Sequence, residues 1–268
     1  MLGEIMKIHS HSRILVTYLA AMGLVATTLG GYVACGAQTY RVQVDNDTAA
    51  LGASSVSSSN LAGVHSALGW KTHLPVHFRT SKAIPGPTVA QIQNAMNTWE
   101  AAVGRTLFVY EGEDPQTSSN FADLYAPLAD GVNGHYFDPN WSAATKKPKG
   151  VLATAIWEND PRDPRSIAKS DIRYNSESYL FGNSIDEYSQ GERTIVDMES
   201  LALHELGHVL GLGHVSTEED RYSVMNPALF IGEGMITRNL SRGDLERIRS
   251  IYGIKDESMS EKLTIAGE

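Results

Sequence analysis

Eleven consecutive residues, His204-Glu205-Leu206-Gly207-His208-Val209-Leu210-Gly211-Leu212-Gly213-His214, hold the side chains best suited to chemistry in this chain. On a helix, residues four apart lie about 40° apart around the axis, so His204 and His208 can offer their imidazoles to one ion. Glu205 is rotated by about 100° from His204, which leaves its carboxylate to act on a water beside the ion as a general base. Gly211 can take the positive φ that ends a helix and turns the chain back, and that turn is what would bring His214 to the same ion. Three protein ligands with an open fourth position is the pattern of catalytic zinc, whereas structural zinc usually has four. A single cysteine excludes a thiolate cluster within the chain. The expectation is one catalytic Zn²⁺ on His204, His208 and His214.

This run resembles the motif of the metzincin metalloproteases, and a second feature of that group lies downstream. Ser223-Val224-Met225-Asn226-Pro227 supplies Met225 for the methionine turn beneath the zinc. The residue two after it, a tyrosine in the astacin and serralysin branches, is Pro227, which points to the matrixin branch. The stretch 240–253 resembles the closing helix of matrixin domains, with its Leu-x-x-x-Asp opening and Tyr-Gly end. The resemblance implies an α/β (α+β) metzincin-like catalytic domain: a mixed twisted sheet with an antiparallel edge strand, an active-site helix and a C-terminal helix. It also implies a zinc-dependent metalloendopeptidase acting on protein or peptide substrates. The alternative is a catalytically silent zinc-binding surface lipoprotein acting as a binding module, against which the intact Glu205 argues.

The elements that must position these residues can be read along the chain. Residues 73–79, 89–103 and 106–110 read as strand, helix and strand. Thr88 caps that helix, and Val89, Ile92, Ala95, Met96, Trp99 and Val103 lie at helical spacing on its buried face. Residues 150–157 resemble the matrixin edge strand above the cleft, where an extended peptide can add as a further strand, which makes the backbone at Leu152 and Ala153 the candidate docking site. Residues 167–175 read as the strand before the active-site helix, joined to it by a long polar loop. Thr194 with Asp197 suggests a capping pair for a helix over 195–210. Ser241 caps the last helix, whose stripe is Leu245, Ile248, Ile251 and Tyr252. After the methionine turn, residues 226–239 should wall the pocket for the side chain following the cut, with Pro227, Phe230, Ile231, Met235 and Ile236 as lining candidates.

Departures from the family carry as much weight. Two histidines of the second, structural zinc of vertebrate matrixins correspond to Thr154 and Arg173, so a single zinc is expected. Ca²⁺ is a possible second ion at Asp160, Asp163, Glu177, Asp186 and Glu187, although acidic loop residues are usually only solvated. No counterpart of the matrixin cysteine switch lies within 36–72. His73 and His77 read as residues of an ordinary outer strand.

The N-terminus bears on location. Lys7 and Arg13 precede an apolar run beginning at Ile14, which reads as a secretory signal, and Tyr32-Val33-Ala34-Cys35-Gly36 resembles a bacterial lipobox with Cys35 as the lipidated residue. Ordinary cleavage near Ala37 and an uncleaved anchor are the competing readings. All three place the domain outside the cytoplasmic membrane, as a cell-envelope lipoprotein or a secreted protein. The expected organisation is a signal segment over 1–35, a flexible Ser-rich linker over 36–69, the protease domain over 70–254 and a polar tail over 255–268. A net charge of −9 without a Lys/Arg block argues against nucleic acid as a partner, and the sequence leaves oligomeric state open.

Overall fold

A computed structural model describes residues 40–43 and 69–253. Cys35, the signal segment, most of the linker and the tail lie outside the described residues. The order of elements is β1 (Tyr40–Gln43), β2 (Val76–Ser81), α1 (Gly86–Val103), β3 (Phe108–Asp114), β4 (Asn133–Phe137), α2 (Trp141–Thr145), β5 (Ala153–Asp160) and β6 (Asp163–Tyr174). Then follow β7 (Tyr179–Gly182), β8 (Thr194–Asp197), α3 (Met198–Val209), β9 (Ala228–Ile231) and α4 (Arg242–Tyr252).

The central sheet has the order β3-β2-β4-β6-β5. Its first four strands run parallel and β5 is antiparallel to β6, giving the mixed sheet with an antiparallel edge. Parallel neighbours need crossover connections, and α1 supplies the one between β2 and β3. Ile92, Ala95, Met96 and Trp99 from α1 share one buried core with Leu201, Ala202, Leu203 and Leu206 from α3 and with Phe78, Ile172 and Tyr174 from the sheet. The Trp99 indole donates to the Leu203 carbonyl at 2.9 Å, fixing the two helices in register.

Several boundaries differ from the sequence reading for identifiable reasons. Helix α1 begins at Gly86 with Pro85 as N-cap, so Thr88 is a buried first-turn residue and not the cap, and Val89 is only half-buried. Pro87 occupies a first-turn position, where its missing N–H costs nothing. Thr194 belongs to β8 and Asp197 alone caps α3, accepting from Ser200 N at 2.9 Å. The polar loop expected before α3 contains the short parallel pair β7-β8. The linker, expected to be structureless, contributes β1, which pairs antiparallel with β9.

Arg173 and Thr154 are partners across β5 and β6. The Arg173 guanidinium is fully buried, pairs with the buried Asp138 carboxylate and donates to the Asp123 carbonyl at 2.6 Å. On the neighbouring strand β4, His135 is also fully buried, with Nδ1 2.9 Å from the Tyr174 hydroxyl. Burial pulls its pKa from 6.5 down to about 3, so it is neutral in the fold. Below pH 6.5 the unfolded chain binds a proton at this site that the folded one refuses, so this contribution is fully present above 6.5 and is lost as pH falls toward 3. Wild type should therefore lose unfolding free energy relative to His135→Phe as pH drops from 7 to 5, by up to about 1.4 kcal/mol per pH unit, as read by urea unfolding. Parallel pH profiles would refute a neutral buried imidazole.

Candidate active site

The active-site helix α3 is stopped by the glycine its sequence provides. Gly211 has φ of 95°, its N–H bonds His208 O at 2.9 Å and Leu212 N–H bonds Gly207 O at 2.9 Å, the paired bonds of a Schellman turn. Two aromatic donors cover the carbonyls left over at this end: the Trp70 indole bonds Val209 O at 2.7 Å and the Tyr252 hydroxyl bonds Leu210 O at 2.8 Å. The turn carries His214 back beside the helix.

There the three imidazoles converge. His208 Nε2 lies 3.0 Å from His204 Nε2, and His214 Nε2 lies 3.2 Å from the same atom. All three ligand atoms are within 4.8 Å of one another. His204 Nδ1 donates to Val224 O at 2.7 Å and His208 Nδ1 donates to Leu212 O at 2.8 Å. A carbonyl only accepts, so these bonds fix the tautomer and leave each Nε2 with a lone pair aimed at the others. Burial first, and then His208 and His214, hold His204 well below its ordinary pKa, while burial and His208 bring His214 down to about 3. Neutral lone pairs facing one another at this spacing repel unless a cation lies between them. Tetrahedral Zn²⁺ with Zn–N of about 2.0–2.1 Å spaces its nitrogens by about 3.3–3.4 Å, close to the separations seen. The residues present fit the ion. Glu205, the residue after His204, is fully buried, and the Tyr174 phenol is pushed up first by its own burial and then by the Glu205 charge.

The floor is built by the turn at Met225, which is itself fully buried. Asp244 of α4 accepts from Ser223 Oγ at 2.6 Å and Val224 N at 2.9 Å, and pairs with Arg247 at 2.7 Å. This buried carboxylate holds the carbonyl that orients His204. Gly207 lets the helix rest on this floor: a Cβ there would stand 2.3 Å from Met225 Sδ and 3.1 Å from Trp99 Cζ2. Gly207→Ala should thus cost about 1–3 kcal/mol by overpacking and weaken zinc retention. Chemical denaturation and zinc analysis after dialysis check it, and a wild-type midpoint with full zinc would contradict it.

A family model described as matrixin matches residues 70–253, more than half of the 268-residue chain. The chain belongs to the matrixin family. Metalloendoproteinase 2-MMP of Arabidopsis thaliana is 38% identical over 104 residues, which cover 39% of this chain and 25% of that protein. Metalloendoproteinase 1 of Glycine max is 43% identical over 107 residues, covering 40% of this chain and 30% of that one. The match thus spans less than a third of the length of these relatives. Among solved structures, myroilysin aligns over 79% of this chain and 91% of its own, with TM-score 0.41 and 12% identity.

The substrate-side candidates of this matrixin are placed unevenly. Ala153 opens the edge strand β5, paired with Tyr174, and Leu152 immediately precedes it with its carbonyl accepting from Asn175 N at 2.8 Å. Both residues are inaccessible as a whole, backbone included, so this stretch of β5 is covered in the structure. Pro227 and Met235 are half-buried, and Phe230 and Ile236 are exposed. Ile231 points into the main core, so its expected place in a pocket lining is corrected. Alternation along β9 sends Phe230 outward and Ile231 inward.

The five acids considered for calcium are not gathered. Asp160 is held by Arg162 and His73, Asp163 by Lys71, Glu177 by Lys149, and Asp186 and Glu187 bond Asn183. Among the described residues, the three histidines form the one cluster of metal-ligating side chains. His77 bonds Glu111 and takes no part in it. Sequence reasoning missed Asp244 as the turn's anchor. Its signal was present in the Leu240 to Asp244 spacing and in the Ser241 capping box, whose N3 residue is Asp244.

Proposed function

We propose that this chain is a zinc-dependent endopeptidase that hydrolyses peptide bonds of proteins or peptides outside the cytoplasmic membrane. The observation that carries the reading is the cluster of His204, His208 and His214, whose ligand atoms lie within 4.8 Å of one another, on a helix that also carries the fully buried Glu205. Zinc bound to His204, His208 and His214 supplies Lewis acidity, polarising the scissile carbonyl and lowering the pKa of water toward neutrality. Glu205 takes one proton from the attacking water as its oxygen bonds to the carbonyl carbon. The same carboxyl then gives that proton to the amine nitrogen as the C–N bond breaks, so base and acid are one residue. The Val224 carbonyl, on a residue whose N–H is held by Asp244, keeps the His204 ring in place throughout. Pro227, half-buried, and Phe230, exposed, lie on the segment that would meet the residue after the cut.

The location rests on the signal-like N-terminus and on Cys35. Lipidation there would tether the domain to the envelope facing outward. No helix among the described residues is long and apolar enough to cross a membrane. Mass spectrometry of the mature N-terminus distinguishes a lipid-modified Cys35 from cleavage near Ala37.

The test of the activity is incubation of the zinc-loaded full chain with a diverse peptide library, read by mass spectrometry. Internal cleavage that disappears on chelation and returns with zinc is expected. Stoichiometric zinc with no cleaved peptide would replace the enzyme by the silent zinc-binding module.

A further inference from the structure

We propose that Trp70 and Tyr252 are positioning residues of the metal site: together they latch the C-terminal end of α3, so that His208 and His214 stand ready for the ion before it arrives. This deepens the zinc reading of the triad and rests on it for the ion. Helix α3 ends at Val209, and the carbonyls of Val209 and Leu210 find their partners outside the helix. The Trp70 indole donates to the first at 2.7 Å and the Tyr252 hydroxyl to the second at 2.8 Å. The two donors are themselves joined, because Trp70 N donates to the Tyr252 hydroxyl at 3.0 Å. Behind them Gly69 fixes the strap to β6, its N–H on Arg165 O at 3.3 Å and its carbonyl taking Ile167 N at 2.9 Å. Both aromatic residues are buried, which leaves water little access to replace these bonds.

The latch sits where two ligands are set. Leu212, just beyond Leu210, presents the carbonyl that orients His208 at 2.8 Å, and His214 follows directly after Gly213. At the other end of the turn, Val215 N–H bonds Met225 O at 2.9 Å. The segment 211–214 is therefore strung between two fixed points, the latch and the methionine turn. Without an ion, three neutral imidazoles with converging lone pairs repel, and a released turn would relieve this by swinging out His214, the half-buried member of the three. The bonds to Val209 and Leu210 oppose that swing. A site already held in its binding geometry loses no affinity to ordering, whereas apparent affinity falls in proportion to the fraction of chains whose site has opened. Gly69 shows how close the fit is: a Cβ there would stand 2.8 Å from Tyr252 Oη and 3.0 Å from Ile251 Cγ2.

The test uses the full chain carrying Tyr252→Phe, which keeps the ring and deletes the hydroxyl, and separately Gly69→Ala, which deletes no donor and displaces the latch. Each should raise the apparent Kd for zinc about fivefold or more, measured by competition with a chelator of known affinity. Cobalt placed in the site reads its geometry, and its visible absorption should weaken or shift in both variants. Leu128→Ala is the control for a merely structural loss, since Leu128 packs in a separate cluster with Leu124 and Ile156. It should unfold at lower urea and keep wild-type zinc affinity and cobalt spectrum. Linkage adds a readout in the unmodified chain, because a latch that favours zinc is favoured by zinc to the same extent. The Trp70 amide should exchange its hydrogen about fivefold or more slowly with zinc than without, while amides of β3, at the far edge of the sheet, change less. If a variant does not fold, this exchange decides alone. Wild-type affinity and spectrum in both variants, an equal loss of affinity in Leu128→Ala, or exchange at Trp70 indifferent to zinc each overturns the proposal. A wild type that takes up no zinc overturns the metal reading as well, a result seen before any variant is made.

Discussion

Glu205→Gln should lower kcat/KM for a cleaved peptide by about 10²–10⁴-fold while zinc stays at one equivalent per chain. The amide keeps the size of the carboxyl and its fit in a fully buried position, so packing around α3 is conserved. What it loses is the ability to hold a proton between the attack of water and the departure of the amine. The three imidazoles do not depend on it: His204 is oriented by Val224 O and His208 by Leu212 O. Zinc content by atomic emission and kcat/KM on one peptide, measured on the same preparation, separate the two roles. Retention of activity within about tenfold would remove Glu205 as the base and leave polarisation of the carbonyl as the main effect. Loss of zinc instead would make Glu205 a structural support of the triad.

The different fates of neighbouring expectations follow from how far each interaction reaches along the chain. The triad was legible because its geometry is local. Four residues of helix and one glycine turn determine where His204, His208 and His214 meet, and Gly211 takes the positive φ that the spacing requires. Ser241 as a cap is equally local, since it closes on Asp244 three residues on. The carbonyls that orient the rings were not legible, because any residue has one and only the tertiary fold selects Val224 and Leu212. The start of α3 was read too early because Thr194 and Asp197 are both good caps. Pairing of Thr194 with Tyr179 in the β7-β8 ladder decides against the former. Nor could alternation alone assign Ile231 and Phe230, since the strand β9 that separates them exists by virtue of a distant partner, β1.

The same contrast gives the largest expected loss of stability. Arg173→Leu should destabilise the fold by about 3–5 kcal/mol at pH 7, because it leaves the Asp138 carboxylate buried without its cation. Both side chains are essentially inaccessible, at 0% and 1% exposure, so water cannot replace the guanidinium. The backbone N–H of Asn140, 3.1 Å from Asp138 Oδ1, is too little to hold a charge there. Changing both partners, Arg173→Leu with Asp138→Leu, should recover much of the loss, since a buried ion pair is worth little more than apolar residues of similar volume. Urea unfolding of wild type, single and double variants at pH 7 reads both the loss and its recovery. An equal deficit in single and double variants would mean that the guanidinium matters for its bond to the Asp123 carbonyl and its packing, and not as the counter-charge of Asp138.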